Sequence, residues 1–124
     1  MPSRPAALIV EDQPFVGMVA SDILKESGFD TFHAYDAEAA TQLLDEHPEI
    51  ELVLTEAQLP GSIDGVELCR RVSAERPDVQ LVITGTSPQI QSPDVPIGTR
   101  VLRKPYASSD LRTAVKVRPL LAGV

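Results

Sequence analysis

Short apolar runs rich in β-branched residues alternate with longer amphipathic stretches along the chain. The first and fourth runs are apolar on both faces, or nearly so, as strands inside a parallel sheet are. The predicted strands lie at residues 7–10, 31–34, 51–55, 79–84 and 99–103. Strands that alternate with helical patterns predict an open α/β sandwich, with a parallel sheet and helices on both of its faces.

Capping residues and prolines set the bounds of the predicted helices. The first helix begins at Pro14, is ended by Gly28, and has a predicted apolar face of Phe15, Val16, Val19, Ile23 and Leu24. The other helices run from a cap at Asp36 to Glu46, from a cap at Asp64 to Glu75, and from a cap at Ser108 or Ser109 to Val117, before Pro119. Between the last two strands stand Pro88, Pro93 and Pro96. Because proline removes a hydrogen-bond donor and clashes with the preceding turn, a fourth helix there is predicted to be short, distorted or absent.

Composition restricts the class of protein. The length of 124 residues fits one domain over residues 1–124, without an output domain. Eleven basic against eighteen acidic side chains give a net charge of −7, which argues against a nucleic-acid surface. Cys69 is the single cysteine, so an internal disulfide is excluded and we predict a cytoplasmic protein. Cys69 also falls on an apolar stripe, so we predict that it is a core residue. No apolar run approaches the roughly 20 residues of a membrane span.

Polar side chains stand at or just beyond four predicted strand ends: Glu11, Asp12, Glu56, Thr84 and Lys104. Ligands of open α/β sheets bind outside the carboxyl ends of the strands, so we expect these side chains to share one pocket. Crowded carboxylates need a cation or take raised pKa values, and oxygen ligands without a nearby His or Cys pair suit Mg²⁺. A hydroxyl and an ammonium opposite them suit the oxygens of a phosphoryl group. The sequence predicts an acidic Mg²⁺ pocket for phosphate chemistry.

Taken together, the motifs at these strand ends resemble those of the receiver domain of bacterial two-component response regulators. They are Glu11-Asp12, Leu59-Pro60-Gly61, Asp64-Gly65, Thr84-Gly85 and Lys104-Pro105-Tyr106. The resemblance covers essentially the whole chain and implies a flavodoxin-like receiver fold with strand order 2-1-3-4-5. The loop at residues 60–65 and the segment Lys104-Pro105-Tyr106 are most similar to stand-alone receivers of alphaproteobacterial type.

The resemblance also implies a role for each site residue. The family's metal ligands correspond to Glu11, Asp12, the phosphoacceptor position Glu56 and the backbone carbonyl of Gln58; its switch hydroxyl corresponds to Thr84, and its phosphoryl-neutralising lysine to Lys104. Two residues depart from the family pattern. Glu56 replaces the phosphoacceptor aspartate, and Val101 replaces the switch aromatic that many receivers carry three residues before the lysine.

The extra methylene of Glu56 moves the carboxylate by up to about 1.5 Å. A displacement of about 1 Å can cost on the order of 100-fold in rate, so phosphorylation is predicted to be impaired and Mg²⁺ binding weakened. The displaced carboxylate can instead reach toward Thr84 and Lys104 and hold the switch partly in its signalling state. Lys104 would then serve mainly as an ion-pair partner of Asp12 or Glu56.

Three functions stay open at this point. The preferred one is a non-enzymatic receiver that signals through contacts with a histidine kinase, a histidine phosphotransfer protein or an effector, alone or as a homodimer. The second is a conventional Mg²⁺-dependent phosphoacceptor in which Glu56 is a tolerated or introduced substitution. The third is a Mg²⁺-dependent phosphatase-like enzyme, although that class also requires an aspartate nucleophile.

Overall fold

A computed structural model of the chain describes residues 4–115, in which five strands alternate with five helices. The strands are Ala6–Val10 (β1), Asp30–Ala34 (β2), Ile50–Glu56 (β3), Gln80–Gly85 (β4) and Arg100–Arg103 (β5). The helices are Pro14–Glu26 (α1), Ala37–Glu46 (α2), Gly65–Glu75 (α3), Ser87–Ile90 (α4) and Ser108–Ala114 (α5). None of these helices, all within residues 4–115, has the length and hydrophobicity needed to cross a lipid bilayer.

All five strands are parallel and lie in the order β2-β1-β3-β4-β5, which confirms the predicted fold class and topology. β1 is the most protected strand, since all five of its residues are buried. The strand order reverses between β1 and β3, so the crevice at the carboxyl ends of these two strands is where such a fold binds ligands. β2 and β5 form the two edges of the sheet.

Two hydrophobic layers cover the two faces of the sheet. Under α2 and α3 the buried side chains include Leu8, Val53, Leu68, Cys69 and Ile83. Under α1 and α5 they include Ile9, Leu24, Phe29, Leu54 and Leu111. The prediction that Cys69 is a core residue is confirmed, and burial raises the pKa of its thiol to about 12.

The predicted apolar face of α1 is partly wrong. Phe15 is 71% exposed and Val19 is 41% exposed, whereas Ile23 and Leu24 are buried as predicted. In the same helix Gly17 approaches β2 closely: a Cβ atom on Gly17 would lie 2.4 Å from Cε1 of the His33 ring. The buried face of α1 is formed by Gly17, Ala20, Ile23 and Leu24, and Phe15 and Val19 remain on the surface.

The predicted caps of α2 and α3 are confirmed. The carboxylate of Asp36 accepts the N–H of Ala39 at 2.8 Å, and that of Asp64 accepts the N–H of Glu67 at 2.8 Å. These two bonds satisfy backbone donors that the first turn of each helix leaves without an intrahelical partner.

The predicted cap of α5 is wrong. The N-cap residue is Ala107, and Asp110 in the first turn accepts the Ala107 N–H at 2.8 Å. The side-chain hydrogen bond at the start of α5 therefore comes from the Asp110 carboxylate, and not from a hydroxyl of Ser108 or Ser109 as the sequence predicted. The helix ends at Ala114 and Val115 is extended, so the prediction that the helix continues toward Val117 is wrong at Val115. Residues 116 and 117, and Pro119 beyond them, lie outside the described residues.

The fourth helix is short, as predicted. α4 is a single turn, and the chain from Gln91 to Thr99, which includes Pro93 and Pro96, forms no helix. Because so little covers this side of the sheet, Val101 on β5 is 44% exposed.

Candidate functional site

The carboxyl ends of three neighbouring strands place three of the predicted side chains together. Glu56 is the last residue of β3 and lies directly beside Thr84 of β4 in the ladder. Lys104 follows β5, and its backbone N–H donates to the carbonyl of Gly85 at 2.9 Å. The sheet itself thus fixes where each of these side chains begins.

The Glu56 carboxylate is bound on one oxygen by two donors. Nζ of Lys104 lies 2.5 Å from Oε2 of Glu56, and the Thr84 hydroxyl donates to the same oxygen at 3.2 Å. The Glu56 side chain is only 11% exposed. Burial by itself lowers the pKa of Lys104, but the hydrogen bond and charge of Glu56 outweigh it and raise that pKa, so Lys104 stays protonated. The charge of the nearly buried Glu56 carboxylate is therefore compensated by the partly exposed ammonium of Lys104.

Gly65 allows the loop after β3 to close against Glu56. The Gly65 N–H donates to the carbonyl of Ala57 at 2.8 Å. A Cβ atom on Gly65 would lie 1.9 Å from the carbonyl oxygen of Glu56, which no side chain can tolerate. The Asp64-Gly65 pair therefore caps α3 and lets its first turn approach the candidate site.

The predicted acidic pair follows β1. Glu11 is 7% exposed, and its carboxylate accepts the Gln13 N–H at 3.1 Å. Burial is the main reason that the pKa of Glu11 is raised to about 7; a hydrogen bond with Asp12 and the charge of Glu56 raise it further, against the effect of Gln13. Asp12 itself is half-buried. Glu11 thus lies near Glu56 but carries a proton for much of the pH range below 7.

The raised pKa of Glu11 predicts a pH-dependent stability. Between about 4.5 and about 7, the folded chain holds a proton on Glu11 that the unfolded chain releases. The contribution of Glu11 to the free energy of unfolding is therefore fully present below about pH 4.5. It is lost as the pH rises from there through about 7, by up to about 3 kcal/mol in all. We expect Glu11→Gln to remove this dependence and to be more stable than the parent above pH 7. Urea unfolding in EDTA over this pH range measures the difference; parallel pH profiles of the two proteins would contradict it.

The acidic pocket offers the right donor chemistry for Mg²⁺, since carboxylate and carbonyl oxygens are its usual protein ligands. Within residues 4–115, however, no three Asp, Glu, His or Cys side chains are arranged to hold a metal ion. The Glu56 carboxylate is instead bound to Lys104 and Thr84. The pocket thus has acidic oxygen donors without a ready three-carboxylate cluster.

Two contacts at the site had no signal in the sequence. The Gln89 amide donates to Oε1 of Gln58 at 3.0 Å, and the Thr86 hydroxyl donates to Oε1 of Gln89 at 2.8 Å, which joins the loops after β3 and β4. On the other side, Nε2 of His33 lies 3.0 Å from the Glu11 carbonyl oxygen and donates to it. Gln58 and Gln89 are 31 residues apart in the chain, and Glu11 and His33 are 22 apart, so no local pattern predicts these two contacts.

Comparison with known proteins identifies one family. The family profile described as "Response regulator receiver domain" matches residues 7–116. A response regulator receiver protein from Pseudomonas putida is 25% identical, with a TM-score of 0.79 over 92% of this chain and 97% of that one. The signal receiver domain of an HD domain-containing protein from Pseudomonas fluorescens Pf-5 is 27% identical, with a TM-score of 0.76 over 90% and 91%. A receiver protein from Sinorhizobium medicae WSM419 is similar in fold, with 22% identity and a TM-score of 0.81 over 89% and 90%.

Proposed function

Because the chain belongs to the family of response regulator receiver domains, we propose that it is an atypical receiver of two-component or phosphorelay signalling. Glu56 at the phosphoacceptor position impairs phosphorylation, and the signal passes through protein contacts. One observation carries this proposal: the Glu56 carboxylate is bound by both Lys104 and Thr84.

Impaired phosphorylation follows from the position of the nucleophile. An in-line attack on a phosphoryl group needs a carboxylate oxygen at the right distance and angle. Glu56 is longer than aspartate by about 1.5 Å, and its Oε2 is already engaged by two donors. To attack, the side chain must leave the ammonium and hydroxyl that hold it.

The same contacts support signalling without phosphate. Family resemblance assigns Thr84 and Lys104 to phosphoryl oxygens, and in this chain a Glu56 carboxylate oxygen binds both. A carboxylate supplies one negative charge, against roughly −1.5 to −2 for a phosphate monoester. We therefore expect Thr84 and Lys104 to be held partly in the arrangement of the signalling state. We also expect the absence of an aromatic side chain at Val101 to reduce the conformational response to phosphorylation further.

Receiver domains generally bind Mg²⁺ in their acidic pocket, and here we propose weakened binding. Glu11, Asp12 and the backbone carbonyl of Gln58 would hold the ion, which would supply positive charge to the pocket. Glu56 contributes less than a free carboxylate would, because Lys104 already neutralises it. Below about pH 7, protonation of Glu11 weakens Mg²⁺ binding further, because the ion needs a deprotonated carboxylate.

The proposed partners are those of the family: a histidine kinase, a histidine phosphotransfer protein or an effector, met in the cytoplasm by a monomer or a homodimer. The output is non-enzymatic in this proposal. The loop at residues 60–65 and Lys104-Pro105-Tyr106 support the finer assignment to receivers of alphaproteobacterial type.

Incubation with acetyl phosphate and Mg²⁺, followed by intact mass measurement, tests the proposal. We expect the unmodified chain to show only a small, slowly forming phosphate adduct, because its carboxylate is displaced and engaged. Omitting Mg²⁺ gives the baseline for nonspecific modification. A stoichiometric, Mg²⁺-dependent adduct would instead support the conventional phosphoacceptor in which Glu56 is tolerated.

A further inference from the structure

Gly17 lies inside α1, where glycine is the poorest helix former except for proline. The backbone does not require glycine at this position, because the positive φ angles among residues 4–115 are those of Gly28, Gly61 and Gly98. The space around Gly17 does require it. A Cβ atom there would lie 2.4 Å from Cε1 and 2.7 Å from Nε2 of the His33 ring. The missing side chain therefore makes room for an imidazole that comes from β2.

The His33 imidazole reaches the loop that carries the acidic pair. Its Nε2 donates to the carbonyl oxygen of Glu11 at 3.0 Å. Toward the same strand, the Glu11 N–H donates to the carbonyl oxygen of Ala34 at 3.0 Å. The β1–β2 ladder ends at Val10 and Ala34, so the ring adds one hydrogen bond beyond the last backbone pair. Both polar groups of the Glu11 backbone are thus bound to β2.

The carbonyl that His33 binds belongs to the peptide group between Glu11 and Asp12. A peptide group is planar, so holding its carbonyl restricts ψ of Glu11 and φ of Asp12 together. The relative direction of the two side chains depends on these angles. Hydrogen bonds made around a metal site commonly orient its ligands in this way, without any contact to the ion.

We propose that His33 is a positioning residue for the Mg²⁺ site, and that Gly17 is required because it admits the imidazole ring. The ring acts on the ion only through the backbone of Glu11. This inference rests on the proposed function, since it takes Glu11 and Asp12 as ligands of the ion. Without the ring, the loop keeps its bond to Ala34, but the next peptide group is free to turn.

A purely structural role for His33 is the competing explanation. His33 is exposed on an edge strand, where its ring also covers part of α1. However, Oγ of Ser21 and Oγ1 of Thr31 are hydrogen-bonded at 2.7 Å, and this second link already joins α1 to β2. A structural role predicts a loss of stability at unchanged Mg²⁺ affinity, whereas a positioning role predicts the reverse.

Titration with MgCl₂ at about pH 8, followed through backbone amide shifts, tests the proposal. At this pH the proton of Glu11, whose pKa is raised to about 7, competes little with the ion. We expect His33→Ala to bind Mg²⁺ about tenfold more weakly, since groups that orient metal ligands contribute about 10- to 100-fold to affinity. In EDTA, the Asp12 amide should shift most, because it belongs to the released peptide group. His33→Gln keeps a donor and should retain most of the affinity.

Gly17→Ala is the second variant, because its methyl group displaces the ring from the Glu11 carbonyl. Mg²⁺ affinity should fall by about the same factor as in His33→Ala. Alanine is the better helix former, so resistance to urea in EDTA should not fall, and a merely structural role would not produce this split. In a His33→Ala background, Gly17→Ala meets no ring and should change the affinity no further. His47→Ala, which removes the other histidine of the chain, is the matched control and should bind like the parent.

The proposal is overturned if His33→Ala binds Mg²⁺ as tightly as the parent, or if His33→Gln binds as weakly as His33→Ala. It is also overturned if Gly17→Ala weakens binding in the His33→Ala background. The same titrations in a Glu56→Asp host separate this inference from the proposed function. Binding by that host without any effect of His33→Ala would overturn only the role of His33. No binding by either host would overturn the proposed Mg²⁺ site, and this inference with it.

Discussion

Glu56→Asp is expected to acquire a phosphate adduct on the order of 100-fold faster than the unmodified chain. Shortening the side chain withdraws the carboxylate by about 1.5 Å, to the place where the family carries its nucleophile. Thr84 and Lys104 remain at their strand ends to receive the phosphoryl oxygens. Time-resolved intact mass with acetyl phosphate and Mg²⁺ measures the rate.

Glu56→Gln is the matched control, because it keeps the length of glutamate and removes its charge and nucleophile. It should remain unmodified. A backbone amide titration with Mg²⁺ separates binding from chemistry, and we expect tighter binding in Glu56→Asp than in the unmodified chain. If Glu56→Asp binds Mg²⁺ and still forms no adduct, the length of Glu56 is not what blocks the reaction.

Gly65→Ala is expected to lower the free energy of unfolding by about 3 kcal/mol. The added Cβ atom would meet the Glu56 carbonyl oxygen at 1.9 Å and its carbonyl carbon at 2.8 Å, and both are backbone atoms that no rotamer change can move aside. Either α3 or the end of β3 must shift, at the cost of the bond from the Gly65 N–H to Ala57. Urea unfolding, with the slope checked for constancy, gives the difference.

Asp64→Ala provides the comparison for Gly65→Ala. It removes the α3 cap, in which the Asp64 carboxylate accepts the Glu67 N–H at 2.8 Å. We expect it to lower the free energy of unfolding by about 1 kcal/mol, without a steric conflict. If Gly65→Ala were no less stable than Asp64→Ala, the close approach to Glu56 would not be a constraint on the fold.

The sequence predicts the sheet well because its strands obey a simple burial rule. Every residue of β1 is buried, so its pattern admits few alternatives, and prolines correctly limit α4 to one turn. The caps at Asp36 and Asp64 are equally local, since acceptor and donor lie three residues apart. Local chemistry of this kind is readable without any knowledge of the fold.

The errors arise where distant residues meet. The buried face of α1 includes Gly17, against which the His33 ring lies, and no periodicity within α1 reveals that partner. At the candidate site, the sequence brings the right side chains to one edge, but it left two partners open for Lys104. Only the three-dimensional arrangement shows that Glu56 is the ion-pair partner of Lys104.

The cluster of Glu56, Lys104 and Thr84 also bears on how this fold balances stability against function. Binding sites commonly keep unsatisfied charges that a ligand later relieves, which makes the empty site a weak point of the folded state. Here one carboxylate oxygen, an ammonium and a hydroxyl satisfy one another within the chain. A return to aspartate would thus reopen the site at the expense of an internal contact, so the unmodified chain is expected to be the more robust protein and the less responsive one.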